Sequence, residues 1–136
     1  HIKSNIILIS ADIESQIATL SDEDQSDFLS SLGLEESGLN KIIKEGYNTL
    51  NLITYFTSGE MESRAWTIEK NTLAPDAAGK IHTDFKSGFI RAETISSEDF
   101  IACKGEAKAR ELGKLRSEGK EYAVQDGDVM HFLFNN

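Results

Sequence analysis

The sequence predicts an α+β fold in which a helical segment precedes a β-grasp. Up to Leu50, apolar residues recur at helical spacing, and from Leu52 the period shortens to two. A Pro75-led helical stretch then separates two strand pairs, the second centred on the turn dipeptide Asp126-Gly127. Hairpin, helix, strand, helical crossing and hairpin follow in the order of a β-grasp.

Within residues 5–9 the run Ile6–Ile9 is apolar and mostly β-branched, which predicts a buried strand of a parallel sheet over 5–9 whose partners lie elsewhere. Ser10 and Asp12 offer oxygens to cap a helix carrying Ile13, Ile17 and Leu20. Ser21 with Asp24 three residues on is a carboxylate variant of the capping box and opens a helix with Phe28, Leu29 and Leu32 on one face. Gly33 stops it. Leu39, Ile42, Ile43, Tyr47 and Leu50 mark another helix, with Gly46 in its interior.

Leu52–Phe56 and Ser63–Ile68 read as strands joined by a turn at 57–60. Pro75 suits the first turn of a helix carrying Ala77, Ala78 and Ile81, and Phe89–Ile95 is a third strand. Ser97, with Glu98 and Asp99 behind it, starts a further helix. Residues 106–116 read as helical, and Tyr122–Val124 with Val129–Phe134 as a closing hairpin.

Composition narrows the function classes. Hydrophobic residues make up 39% of the 136, ordinary for a globular chain. The run Ile6–Ile9 is far too short to span a bilayer, so no membrane partner is expected. Cys103 stands alone, which excludes an internal disulfide and suits a reducing compartment. The net charge of −9 is unevenly spread: eight acids and no Lys or Arg lie between Ala11 and Asn40, leaving 15 acids against 13 bases over 41–136. Lys104–Lys120 is a modest basic stretch that includes Lys108, Arg110 and Lys114; its structural alternative is a solvated helix face.

Catalytic motifs are missing. Gly79-Lys80, Gly113-Lys114 and Gly119-Lys120 are followed by Ile81, Leu115 and Glu121, so none supplies the hydroxyl that a phosphate loop sets on magnesium. Hydrolysis by that mechanism is not expected of this chain. His82, His131 and Cys103 match no compact metal-ligand spacing, and His82 with Asp84 has no accompanying nucleophile; neither a metal site nor a catalytic residue is predicted. A recognition surface is the better reading of His82, Thr83, Asp84, Phe85, Lys86 and Arg91. Lys86 and Arg91 can meet phosphates, and Phe85 either stacks on a base or belongs to the core. Phe89 is assigned to the core, in register with Arg91 and Glu93.

The block His82-Thr83-Asp84-Phe85-Lys86-Ser87-Gly88-Phe89-Ile90-Arg91-Ala92-Glu93 closely resembles part of the YchF family. Arg64-Ala65-Trp66-Thr67-Ile68 before it and Gln125-Asp126-Gly127-Asp128-Val129-Met130-His131-Phe132 after it stand in the family's order, and the resemblance runs over nearly the whole chain. These are Obg-related P-loop ATPases that end in a TGS domain, a small ubiquitin-like β-grasp. The resemblance implies a fragment: residues 1–11 as the last strand and base-side loop of a truncated nucleotide-binding domain, 12–50 as a helical neck, and 51–134 as the TGS domain. Ile9-Ser10-Ala11 is similar to the base-side loop, so Ser10 and Ala11 become remnants of a nucleotide pocket. The resemblance implies no cofactor in this chain, ATP or GTP with Mg²⁺ in the parent protein, a cytoplasmic location, and the ribosome or structured RNA as partner, with other proteins as further partners. The alternative is a ubiquitin-like protein–protein interaction module without a nucleic-acid role.

Overall fold

A computed structural model describes residues 6–59 and 61–135. Residues 1–5 of the predicted 1–11 segment and Glu60 of the predicted turn lie outside the described residues. The described chain divides into two compact units, with the boundary in sequence between Leu50 and Asn51.

The first unit contains α1 (Ala11–Ile17), α2 (Asp22–Ser31) and α3 (Gly38–Thr49). Each begins at a serine whose hydroxyl accepts an N–H from the third helical residue: Ser10 from Ile13, Ser21 from Asp24 and Ser37 from Asn40. Gly33, at φ +69°, ends the turn after α2. The Glu14 carboxylate of α1 reaches across to α3 and accepts the N–H groups of Gly38 (2.7 Å) and Leu39 (3.3 Å). A Cβ at Gly38 would stand 2.9 Å from Glu14 Oε1 and 3.0 Å from Ile9 Cγ2, so glycine is the residue that lets α1 and α3 approach.

The strand predicted over 5–9 is not formed in its described part. Ile6–Ser10 is irregular, because no described strand runs beside it to take up its backbone hydrogen bonds. Ile6 and Leu8 are 87% and 92% exposed.

The second unit contains β1 (Leu52–Ser58), β2 (Ser63–Glu69), α4 (Ala74–Ile81), α5 (Thr83–Ser87), β3 (Phe89–Ser96), α6 (Ser97–Ala102), α7 (Glu106–Glu111), β4 (Arg116–Glu118) and β5 (Asp128–Phe134). The strands form one sheet in the order β2-β1-β5-β3-β4. β5 enters at the centre, parallel to β1 and antiparallel to β3. Alternation places Tyr55, Ile68, Ala92, Met130 and Phe132 on one face, where they pack with Ala74, Ala77 and Ala78 of α4. The alanines let α4 lie close to the sheet, and the buried Tyr55 hydroxyl donates to the Ala77 carbonyl at 2.8 Å. Burial raises the Tyr55 phenol above its ordinary range.

The structure departs from the sequence expectations at several elements. Helix 106–116 stops early: Gly113 takes φ +68°, and Arg116–Glu118 pairs with Ala92–Thr94 as β4. The closing hairpin is absent from the described residues, since Ala123 makes only an isolated bridge to Leu73. The Asp126-Gly127 turn is tied to β1 instead: Asp126 Oδ1 accepts the Thr54 N–H and the Gly127 N–H donates to the Thr54 carbonyl, each at 2.8 Å. The turn expected to begin at Thr57 starts later, because β1 runs on to Ser58. The His82–Lys86 loop is the short helix α5. Phe89 is buried, as expected, but not in register with Arg91; an irregularity between Phe89 and Arg91 turns it to the α4 side.

Candidate functional site

The residues singled out by sequence separate into three places. Ser10 and Ala11 open α1. The Ser10 hydroxyl is engaged as a cap, receiving the Ile13 N–H at 3.4 Å, and both residues are exposed at the helix start.

The second place is α5. His82 caps this helix through Nδ1, which accepts the Asp84 N–H at 3.2 Å, and its ring stands 3.4 Å from the Asp84 carboxylate. Thr83, Asp84 and Lys86 are exposed. Lys86 forms an ion pair with Asp76 of α4, and its stem lies 3.2 Å from where a Gly79 Cβ would be. Phe85 does not project outward. It is half-buried and stacks on Phe134 with ring centroids 3.9 Å apart, a core contact rather than an open platform for a base.

The third place is the sheet face away from α4, with the α7 cations at its border. Arg91 pairs with Leu133 in the β3–β5 register, one residue from the buried Ala92–Phe132 pair, so it projects to the opposite face from α5. Lys86 and Arg91, close in sequence, therefore belong to different layers and cannot clasp one phosphate together. Arg91 instead shares an acceptor with α7: its guanidinium lies 3.6 Å from Glu93, and that of Arg110 lies 2.8 Å from the same carboxylate. Glu106 also binds Arg110, at 2.7 Å. The Glu106 hydrogen bond first, and then Glu93, hold the Arg110 guanidinium above its ordinary value. Lys108 pairs with Glu111 at 2.8 Å and Lys114 with Asp99 at 3.3 Å. Every cation predicted to bind a partner already has an internal carboxylate, yet each side chain stays about half exposed. The Lys86, Lys108 and Lys114 pairs are open on both sides and contribute roughly 0–1 kcal/mol, so a phosphate can displace the carboxylate there at little cost; Glu93, only 13% exposed, holds Arg91 and Arg110 more firmly.

Two arrangements escaped the sequence reading. Glu93 is a shared acceptor only because β3 and α7 are folded together. Asp128, 3% exposed, accepts from Tyr122 Oη (2.7 Å), the Gln125 N–H (2.9 Å) and Arg116 Nη2 (3.2 Å). Burial, and then the Asp128 carboxylate, push the Tyr122 phenol up to about 12. Burial opposes the charge on Arg116, but Tyr122, Asp128 and Glu118 together outweigh it and raise that guanidinium. The lone polar His131 in the apolar run Val129–Phe134 was a legible signal that one face of β5 is open.

Comparison with known proteins places these features. The family model YchF-GTPase_C, described as "Protein of unknown function (DUF933)", matches residues 52–135. The chain is 60% identical over 132 residues to the "Ribosome-binding ATPase YchF" of Escherichia coli O157:H7 and 56% identical to that of Bacillus subtilis (strain 168), covering 97% of this chain in each case. It spans 36% of the length of these curated relatives. The structure of the Schizosaccharomyces pombe YchF GTPase superposes with a TM-score of 0.81 at 41% identity, covering 96% of this chain and 34% of that one.

Proposed function

The chain belongs to the YchF C-terminal family, and from that premise we propose that it is the recognition and regulatory part of a YchF-like nucleotide-binding ATPase. Its β-grasp unit, a TGS domain over 51–134, contacts the ribosome or structured RNA. The observation that carries this reading is 60% identity across nearly the whole chain to a protein named for ribosome binding. The exposed cations Lys86, Arg91, Lys108, Arg110 and Lys114 supply the chemistry, since arginine and lysine meet phosphates through charge-assisted hydrogen bonds. His82, Thr83 and Asp84 present further polar groups at the α5 corner.

Residues 12–50 are the helical neck, and 1–11 the end of the nucleotide-binding domain. ATP or GTP with Mg²⁺ belongs to the parent protein. Ser10 and Ala11 suit the base-side loop, because the Ser10 hydroxyl is spent on the helix cap and both residues are exposed, leaving backbone groups to read the purine edge. No catalytic role falls to any of these side chains.

The test is co-sedimentation of the chain with purified Escherichia coli ribosomes across a salt series. Binding is expected at low salt and should weaken as salt rises, because neutralised phosphates release counterions. Replacing Lys86, Lys108 and Lys114 by Gln should weaken it further. A wild-type chain that stays in the supernatant at low salt defeats the reading. Salt-insensitive binding that survives nuclease treatment would replace it with the protein–protein alternative.

A further inference from the structure

The face of the sheet away from α4 carries a polar row that crosses all five strands. In β1 and β2, Ser58 and Ser63 are register partners, their hydroxyls 3.0 Å apart. Phe56 pairs with Val129 in the parallel β1–β5 ladder, so two residues on Ser58 stands beside His131; both border a small cleft with Glu93. His131 pairs with Glu93, and Glu93 with Ser117 of β4. Of these five, Ser63, His131 and Ser117 are exposed, Ser58 is half-buried, and the Glu93 side chain is only 13% exposed. Four inter-strand spacings make the row about 19 Å long. Arg91 and Arg110 flank it, both held by Glu93.

We propose that this row is a phosphodiester-binding track for a single-stranded or looped segment of RNA, deepening the ribosome reading above, on which it rests. Three kinds of group converge: hydroxyls that both donate and accept, an imidazole, and two guanidiniums with donors left over. Serine hydroxyls match the ribose 2′-hydroxyl, and arginine forks match phosphate oxygens. A protein partner would need a buried aromatic or aliphatic anchor at the centre of the contact, and the row contains none. Glu93, its side chain only 13% exposed, keeps the two arginines near one another in the free chain, and a phosphate meets the guanidinium N–H groups that Glu93 leaves unused.

The test uses the whole chain, purified Escherichia coli ribosomes, and a short fluorescein-labelled single-stranded RNA of mixed sequence. The Arg91→Gln/Arg110→Gln protein should bind the RNA at least about ten-fold more weakly. Its slope of log affinity against log salt should fall by about 1.4, from two lost phosphate contacts at about 0.7 each. The Lys/Lys pair keeps both charges and loses the fork, so it should keep most of the slope while losing part of the affinity. Ser58→Ala with Ser117→Ala should weaken binding about three-fold to ten-fold. A Gln pair that melts like wild type and binds RNA like wild type overturns the track. If the Gln pair melts early, the Lys pair decides: wild-type affinity there overturns the proposal, and partial loss supports it. A wild-type chain that binds neither ribosomes nor RNA would instead sink the ribosome reading itself.

Discussion

The two units of this chain are held together in different ways. From Asn51 onward, a contiguous core of Tyr55, Ile68, Phe89, Val124, Met130 and Phe132 closes over the α4 alanines. Up to Leu50, only Ile17 and Ser37 are buried among the described residues, while Leu39, Ile42 and Ile43 of α3 remain exposed. The β-grasp unit is stabilised by burial at about 25 cal/mol per Å² of apolar surface. The helical unit relies on its ends: three serine caps at about 1 kcal/mol each, and the Glu14 carboxylate on the first two N–H groups of α3. Local signals are thus sufficient to start and stop helices, but they do not cover an amphipathic face.

The largest effect that would break this contrast lies in the β-grasp core. Phe132 meets Tyr55 edge-on at 5.9 Å and Phe89 at 6.3 Å, so Phe132→Ala should cost about 3–5 kcal/mol. Urea unfolding followed by tryptophan fluorescence would measure it, since Trp66 packs against this core. A cost below that of a helix cap would show that the core is not what holds the unit. Next in size, Asp128→Ala leaves the Arg116, Tyr122 and Gln125 donors without their shared acceptor and should cost about 3 kcal/mol. The same site gives a pH test. Tyr122 has a raised pKa in the folded chain, so its contribution is intact below the unfolded value of 10.0 and is lost as pH climbs through about 12. Melting temperature should therefore fall over that window, less steeply in Tyr122→Phe, and an unchanged slope in that variant would remove Tyr122 from the account.

Much of this was legible because it is local. Ser10, Ser21, Gly33 and Pro75 each act within one turn of their own position, and each does in the structure what its chemistry predicts. The larger errors involve distant partners, whereas the short helix at Thr83–Ser87 is a local feature that reads as a loop in the sequence. Asp126-Gly127 has the turn chemistry of a hairpin, but β5 pairs with β1 and β3, and the residues directly before the turn make only the isolated Ala123–Leu73 bridge. Lys86 and Arg91 read as one patch until the irregularity after Phe89 sends them to different layers. Phe85 looked equally suited to solvent or core because Phe134, the ring it stacks on, lies far along the chain. Glu14 carried no signal at all, since the amides it caps are 24 and 25 residues away.

Glu14 also supplies the test of the helical unit. Glu14→Ala should cost about 1–2 kcal/mol, as lost helix caps do, and should speed hydrogen exchange at the start of α3 without changing protection in β3 or β5. Uniform acceleration in both units would mean that the carboxylate does not act as a local fastening.

The smallest effects come from two glycines on the same helix. Gly46 lies inside α3 and a Cβ there would meet nothing within 4 Å, so Gly46→Ala should stabilise by roughly 0.5–1 kcal/mol through backbone entropy and helix propensity. Gly38 gains the same propensity on paper, but its Cβ would press on Glu14 Oε1 and Ile9. Gly38→Ala should therefore give no gain, or a loss, and should lose only part of its penalty when combined with Glu14→Ala, because the contact with the carboxylate goes while the contact with Ile9 stays. Thermal melts of the four proteins form a double-mutant cycle. If both alanines stabilise equally, helix propensity alone governs α3, and the carboxylate contact between α1 and α3 contributes nothing measurable to the first unit.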